Sequence, residues 1–152
     1  MNSAGTSHRA ARRRRWLALA TMFSALSACS GPERDLPPEY RSIPVPAAKL
    51  ASADARARGR ALYLVDCSLC HGANADGRGL RSRYLGDRAA DFTDPAWRAR
   101  VTPRTVFHAI REGVHGTPMP AWKTALSPEE TWDLVAYVLS VERRRDGRGG
   151  TP

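Results

Sequence analysis

Two cysteines and a histidine fall within the five residues Cys67-Ser68-Leu69-Cys70-His71. On a helical turn, thiols at positions i and i+3 share a face and can bind a single group. A redox CxxC pair would require a βαβ context, and a zinc site would require a second pair of ligands, whereas the one other cysteine is Cys29. The spacing is that of c-type haem attachment, in which Cys67 and Cys70 form thioethers and His71 binds the iron. The segment therefore predicts a fold that encloses one covalently bound haem c.

Three segments carry helix-start signals, and none shows the apolar alternation of a strand. Ser52 predicts a helix over residues 53–67, Thr102-Pro103 predicts one over 103–112 that Gly113 ends, and Ser127-Pro128 predicts one that begins at residue 128. The core-facing side of the last helix comprises Trp132, Val135, Ala136 and Leu139. The chain is therefore predicted to be all-α.

The segments between these helices, residues 72–101 and 114–126, are long for loops of a compact domain unless something holds them, as a cofactor would. The second contains Gly116-Thr117-Pro118-Met119-Pro120, in which prolines stiffen the backbone around a thioether. Met119 is the favoured second axial ligand of the iron. His115 in the same loop and His108 in a predicted helix remain alternatives, because imidazole also binds iron.

The N-terminus has the order of an export signal, with Arg12 to Arg15 followed by the apolar run of residues 16–28. That run is shorter than the roughly 20 residues that span a bilayer as a helix. It ends in Leu26-Ser27-Ala28-Cys29, which resembles the lipobox of bacterial lipoproteins, so Cys29 is expected to be lipidated and to hold the chain on a membrane. Ordinary cleavage after an alanine, which would leave Cys29 as a free thiol, is the alternative.

The sequence predicts four parts. They are a signal peptide over residues 1–28, a lipidated Cys29 with a proline-rich tether over 29–51, a globular domain over 52–141 and a basic disordered tail over 142–152. The formal charge is +9, but five arginines lie in the first 28 residues, which leaves about +4 for the rest. Since phosphate binding needs a clustered basic face, nucleic acid is not an expected partner.

The chain resembles a class I cytochrome c over most of residues 52–141. The resemblance is carried by residues 59–63, by Cys67 to Gly72, by Gly116 to Trp122, and by Trp132 and Tyr137 in the last helix. It implies three to four helices wrapped around one haem c. It also implies that the first and last helices cross closely at Gly59, with Tyr137 packed nearby.

By the same resemblance, His71 is the proximal and Met119 the distal ligand. Many relatives carry a proline after the haem motif, whose carbonyl accepts the Nδ1 proton of the proximal histidine. Here Leu80 follows Gly79, and the Leu80 carbonyl is the expected acceptor. An apolar shell around the haem is expected from Leu85, Trp97, Val106, Ile110 and Trp122.

With both axial positions filled, one-electron transfer is the expected chemistry. The leading hypothesis is a periplasmic, membrane-tethered carrier that docks transiently with redox proteins. A haem subunit of a larger oxidase, nitrogen-oxide reductase or dehydrogenase is the alternative, and a gas-binding or peroxidatic haem protein is less favoured. Arg78, Arg81, Arg83 and Arg88 are expected to pair with haem propionates, to form a docking surface or simply to be solvated.

Overall fold

The computed structural model describes residues 31–86 and 89–141. The predicted signal peptide, Cys29, the predicted tail and Arg88 lie outside these residues. Within them the chain is helical and contains no strand. The helices are α1 (Pro38–Arg41), α2 (Ala47–Ala51), α3 (Ala53–Leu62), α4 (Ser68–His71), α5 (Pro95–Arg98), α6 (Pro103–Glu112) and α7 (Pro128–Ser140). A π-helical turn, Tyr63–Cys67, joins α3 to α4, and a 3₁₀ turn covers Ser82–Tyr84.

The predicted helix starts are confirmed, and the caps explain them. The Ser52 side chain accepts a hydrogen bond from the Ala55 amide at the start of α3. Thr102 and Ser127 each form a capping box with the residue three positions on and precede a proline at the first turn of α6 and α7. These local bonds satisfy backbone donors that a helix start leaves free, so a few neighbouring residues are enough to determine each boundary.

The tether prediction is wrong for residues 31–51, which we call the N-terminal strap. The strap packs on the domain through a buried Leu36 and through the partly buried Tyr40, Ile43, Val45 and Leu50. Its prolines initiate short helices and turns, as Pro38 does at the start of α1. The apolar residues between them therefore meet the core at intervals, which a purely compositional interpretation of the segment overlooks.

Helices α3 and α7 cross in direct backbone contact. A Cβ atom at Gly59 would lie 1.9 Å from the Asp133 carbonyl oxygen, so only glycine permits this approach. The rings of Tyr63 and Tyr137 pack beside the crossing with centroids 5.0 Å apart. Both features match what the class I cytochrome c resemblance implies.

Helix α7 is buried on more sides than its pattern predicts. Trp132, Val135 and Ala136 are buried as expected, and Trp132 stacks on Phe107 of α6 with ring centroids 4.3 Å apart. The strap covers the side of α7 that would otherwise face solvent. On that side the buried Asp133 forms ion pairs with Arg58 of α3 at 2.8 Å and with Lys49 of the strap at 3.3 Å. Leu134 and Val138 face a cavity, and Leu139, expected on the core-facing side, is partly buried.

Candidate cofactor site

The sulfur atoms and the imidazole of the CxxCH segment open into one cavity. Cys67 ends the π-helical turn, Cys70 and His71 lie on α4, and all three line the cavity. Gly72 ends α4 with a positive φ of 81°, and its carbonyl accepts a 2.7 Å hydrogen bond from the buried Tyr63 hydroxyl. This bond ties the end of the motif to the start of the π-helical turn.

His71 is oriented by the returning loop. Its Nδ1 lies 3.1 Å from the Ala90 carbonyl oxygen, and its ring stacks on Phe92 with centroids 4.6 Å apart. Because a carbonyl only accepts, Nδ1 carries the proton and Nε2 keeps a free lone pair. Burial lowers the pKa of His71, which favours this neutral, metal-binding form.

The expectation that the Leu80 carbonyl accepts this proton is wrong. The loop after the motif is folded back on α4 by bonds from the Gly79 amide to the Cys70 carbonyl and from the Arg81 amide to the Leu69 carbonyl. Leu80 is consequently 67% exposed. The chain instead returns to His71 ten residues later, where the Phe92 amide donates to the Ala75 carbonyl at 2.8 Å.

Met119 lines the same cavity as His71, on the loop between α6 and α7. The Met119 carbonyl accepts a 3.1 Å hydrogen bond from the Val114 amide, and the Met119 amide donates a 3.2 Å hydrogen bond to the Thr117 hydroxyl. His115 is exposed and is not among the cavity-lining residues. His108 is absent from the lining too, and packs edge-on against Tyr40 of the strap. The structure thus brings together the favoured ligand pair and separates both alternatives from it.

The cavity has a volume of about 400 Å³ and a predominantly apolar lining. All five residues expected to form the apolar shell line it, namely Leu85, Trp97, Val106, Ile110 and Trp122. Burial raises the pKa of the Cys67 thiol to about 12, with a further contribution from Asp66. Among the described residues there is no cluster of three or more His, Cys, Asp or Glu side chains that would hold a bare metal ion. Two thiols, one imidazole and one thioether around an apolar cavity fit a covalently bound haem.

Sequence reasoning missed Ala90, Phe92 and Tyr63 as parts of this site. Ala90 acts through its backbone, which no side-chain pattern reveals. Phe92 gives a usable signal, because it is a large aromatic residue within a stretch of small and polar ones. The spacing of Tyr63 in its helix indicates only a core residue. Its hydrogen bond to the Gly72 carbonyl depends on how the CxxCH segment folds, which the sequence does not show.

An all-α domain that encloses such a cavity behind a CxxCH segment is a single-haem c-type cytochrome. The family described as cytochrome c oxidase, cbb3-type, subunit III, matches residues 54–138, and the chain belongs to this family. The protein therefore holds haem c and transfers electrons.

The relatives include the cbb3-type cytochrome c oxidase subunit FixP of Azorhizobium caulinodans, 32% identical over 53% of this chain and 25% of FixP. A cytochrome c-553-like protein of Synechocystis sp. is 30% identical over 55% of this chain and 67% of that protein. The Kuenenia stuttgartiensis reducing HAO-like protein complex contains a similar structure, with a TM-score of 0.52 and 27% identity over 60% of this chain and 46% of that one. The chain spans less than a third of the FixP subunits that it matches.

In the part of the chain that the structure describes, no helix is both long enough and apolar enough to cross a bilayer.

Proposed function

We propose that this protein is a membrane-tethered, periplasmic carrier of single electrons, with one haem c bound by its own side chains. The observation that carries the proposal is the convergence of Cys67, Cys70, His71 and Met119 on one apolar cavity. Haem supplies reversible one-electron Fe(III)/Fe(II) chemistry in such a site. The similarity to subunits of oxidoreductases supports electron exchange with partner proteins.

Each of these residues has a defined task. The thiols of Cys67 and Cys70 would form the thioether bonds, and His71 would bind the iron through Nε2, because its Nδ1 is hydrogen-bonded to the Ala90 carbonyl. Met119, on the same cavity as His71, would supply a thioether sulfur as the second ligand and would leave no free position for a substrate. A thioether ligand and an apolar lining with Trp97 and Trp122 both disfavour the extra charge of the ferric state, so they raise the reduction potential.

The axial assignment is tested by visible spectroscopy and potentiometry on the haem-loaded protein. The oxidised protein should show the weak near-infrared band of methionine-to-ferric-iron coordination. Met119→Ala should abolish that band and lower the potential by about 100 mV or more, with haem still attached, since axial ligands tune potentials over about 0.8 V. His115→Ala is the matched control and should leave both unchanged. Rapid binding of carbon monoxide by the reduced wild-type protein would contradict two filled axial positions.

The surface beside the motif has the character of a docking site for an acidic redox protein. Leu69, Leu80 and Tyr84 expose 47%, 67% and 81% of their surface, and we call them the apolar patch. The backbone bond from Arg81 to Leu69 holds the loop against α4 here. The exposed arginines 78, 81 and 83 lie on the same loop as Leu80 and Tyr84, within two residues of one or the other. An apolar centre with a basic rim suits a small, transient interface with an acidic partner.

This docking surface predicts salt-dependent electron transfer. Arg81→Gln together with Arg83→Gln should slow second-order reduction by an acidic redox protein about tenfold at low salt, and much less at about 0.5 M salt. Arg56→Gln with Arg60→Gln, on exposed positions of α3, is the control pair and should have little effect. Equal losses from the two pairs would show that only net charge matters.

Lipidation of Cys29 would hold the carrier on the periplasmic face of a membrane, and the predicted export signal at the N-terminus supports this location. The similarity to FixP favours a second candidate, a haem subunit of an oxidase complex. Purification from native membranes in mild detergent separates the two. A free carrier should elute without other proteins, whereas a subunit should co-purify with a haem-containing oxidase.

A further inference from the structure

We propose that the carboxylate of Glu112 is a positioning group for Met119, held by Tyr40 of the strap and by Lys123, so that the N-terminal strap sets the strength of the distal ligand. We call these three residues the loop clamp. The inference rests on the proposed ligation of iron by Met119.

The two oxygens of the Glu112 carboxylate bind two different parts of the chain. Lys123 Nζ donates to Oε2 at 2.6 Å, and the Tyr40 hydroxyl donates to Oε1. We call residues 113–122 the Met119 loop: Glu112, the last residue of α6, directly precedes it, and Lys123 directly follows it. The clamp therefore joins both ends of the loop to the strap through one side chain.

The backbone passes this constraint on to Met119. At the base of the loop, the Trp122 amide donates to the Ile110 carbonyl at 3.0 Å and the Lys123 amide to the Arg111 carbonyl at 3.2 Å. Inside the loop, a Cβ atom at Gly113 would lie 2.6 Å from the Met119 carbonyl oxygen. The two limbs of the loop are therefore in contact, and the end of α6 determines where Met119 lies.

The strap contacts α6 along the whole length of the helix. Arg104 Nε, in the first turn, donates to the Ile43 carbonyl at 2.8 Å, and Arg104 also pairs with Glu33 at 3.1 Å. In the last turns the Tyr40 ring packs against His108 with centroids 4.6 Å apart. The strap therefore contacts α6 from its first turn to its last residue, and the bond from Tyr40 to Glu112 lies at the end next to the loop.

The protonation states suit a permanent clamp. Burial and the neighbouring Glu112 raise the pKa of Tyr40 to about 12, so its hydroxyl remains a donor at neutral pH. The bonds from Lys123 and Tyr40 lower the pKa of Glu112, which keeps it a carboxylate. A hydrogen bond with an ionised acceptor is stronger than a neutral one.

Imidazole competition on the haem-loaded full chain tests the clamp, because imidazole displaces a weakly held thioether from ferric iron. The readout is the imidazole concentration that removes half of the near-infrared methionine band. Tyr40→Phe should lower this concentration about tenfold, the equivalent of one charge-assisted hydrogen bond, and should lower the reduction potential. Glu112→Gln, which keeps an acceptor for Tyr40 but loses the pair with Lys123, should give a smaller decrease.

Ser42→Ala is the control, because it removes an exposed hydroxyl of the strap that donates to the Glu39 carbonyl outside the clamp, and it should change neither the imidazole competition nor the potential. Thermal unfolding of each variant is measured in parallel. A lower midpoint of unfolding with unchanged imidazole competition and potential would show a purely structural role and overturn the clamp. If the wild-type protein lacked the methionine band, the ligand assignment itself would fail, a result distinct from failure of the clamp.

Discussion

At the scale of single residues, backbone groups determine much of the site. His71 is oriented by the Ala90 carbonyl, and Gly59 matters because it lacks a side chain. The second of these is predictable from the sequence, since a glycine in an otherwise good helix requires a reason such as a close approach. The first is not, because any residue supplies a carbonyl and the acceptor depends on the path of the loop.

Gly59→Ala should destabilise the domain strongly. The added Cβ would lie 1.9 Å from the Asp133 carbonyl oxygen and 2.5 Å from its carbon, so α3 and α7 must separate. We expect a loss of about 3 kcal/mol in the free energy of unfolding, measured with guanidinium chloride. Ala57→Ser, on an exposed position of the same helix, should change it by less than about 0.5 kcal/mol. If Gly59→Ala lowered the free energy of unfolding no more than Ala57→Ser does, the close crossing of the two helices would be contradicted.

At the scale of helices, local signals determine the starts of α3, α6 and α7, because capping bonds form within four residues of the chain. The packing of the strap escapes sequence reasoning because it is non-local. Lys49 reaches Asp133 across more than eighty residues, and no short pattern encodes that pairing. The almost complete burial of α7 has the same cause, since its outer side would face water if the strap were absent.

Asp133 of α7 pairs with Lys49 of the strap and with Arg58 of α3, and these pairs should make the stability of the fold depend on pH. Burial alone would raise its pKa, but the hydrogen bonds from Arg58 and Lys49 outweigh this and lower the pKa below its usual range. A carboxyl whose pKa is lowered by folding contributes its full stabilisation at pH values above its pKa in the unfolded chain, about 3.9. That contribution is lost as the pH falls through its lower pKa in the folded protein.

Asp133→Asn should therefore cost about 3 kcal/mol in the free energy of unfolding at pH 7 and at pH 5, and progressively less below about pH 4. Denaturant titrations at pH 7, 5 and 3 measure this. Glu129→Gln, which removes the exposed partner of the same Lys49, should cost less than about 1 kcal/mol. A difference that stays constant down to pH 3 would mean that the charge of Asp133 is not what stabilises the crossing.

At the scale of the whole molecule, the strap makes the folded unit larger than the domain that the sequence delimits at residue 52. Four apolar residues between 40 and 50 pack against the core and Leu36 is buried, and removing these side chains from water is what chiefly favours a docked strap. Because the strap also carries Tyr40 of the loop clamp, it connects the segment nearest Cys29 to the loop nearest the iron.

A haem-loaded chain that begins at Ser52 should consequently be less stable than one that begins at Gly31. Loss of the strap uncovers the outer side of α7 and leaves the buried Asp133 without Lys49. We expect the thermal midpoint to fall by about 10 °C, as for a loss of about 2–3 kcal/mol in a domain of this size. Calorimetry of both chains measures it, and a chain that begins at Gly31 with Leu36→Ala should fall between them. Equal midpoints for the two lengths would show that the segment is a tether after all, with its contacts contributing nothing to folding.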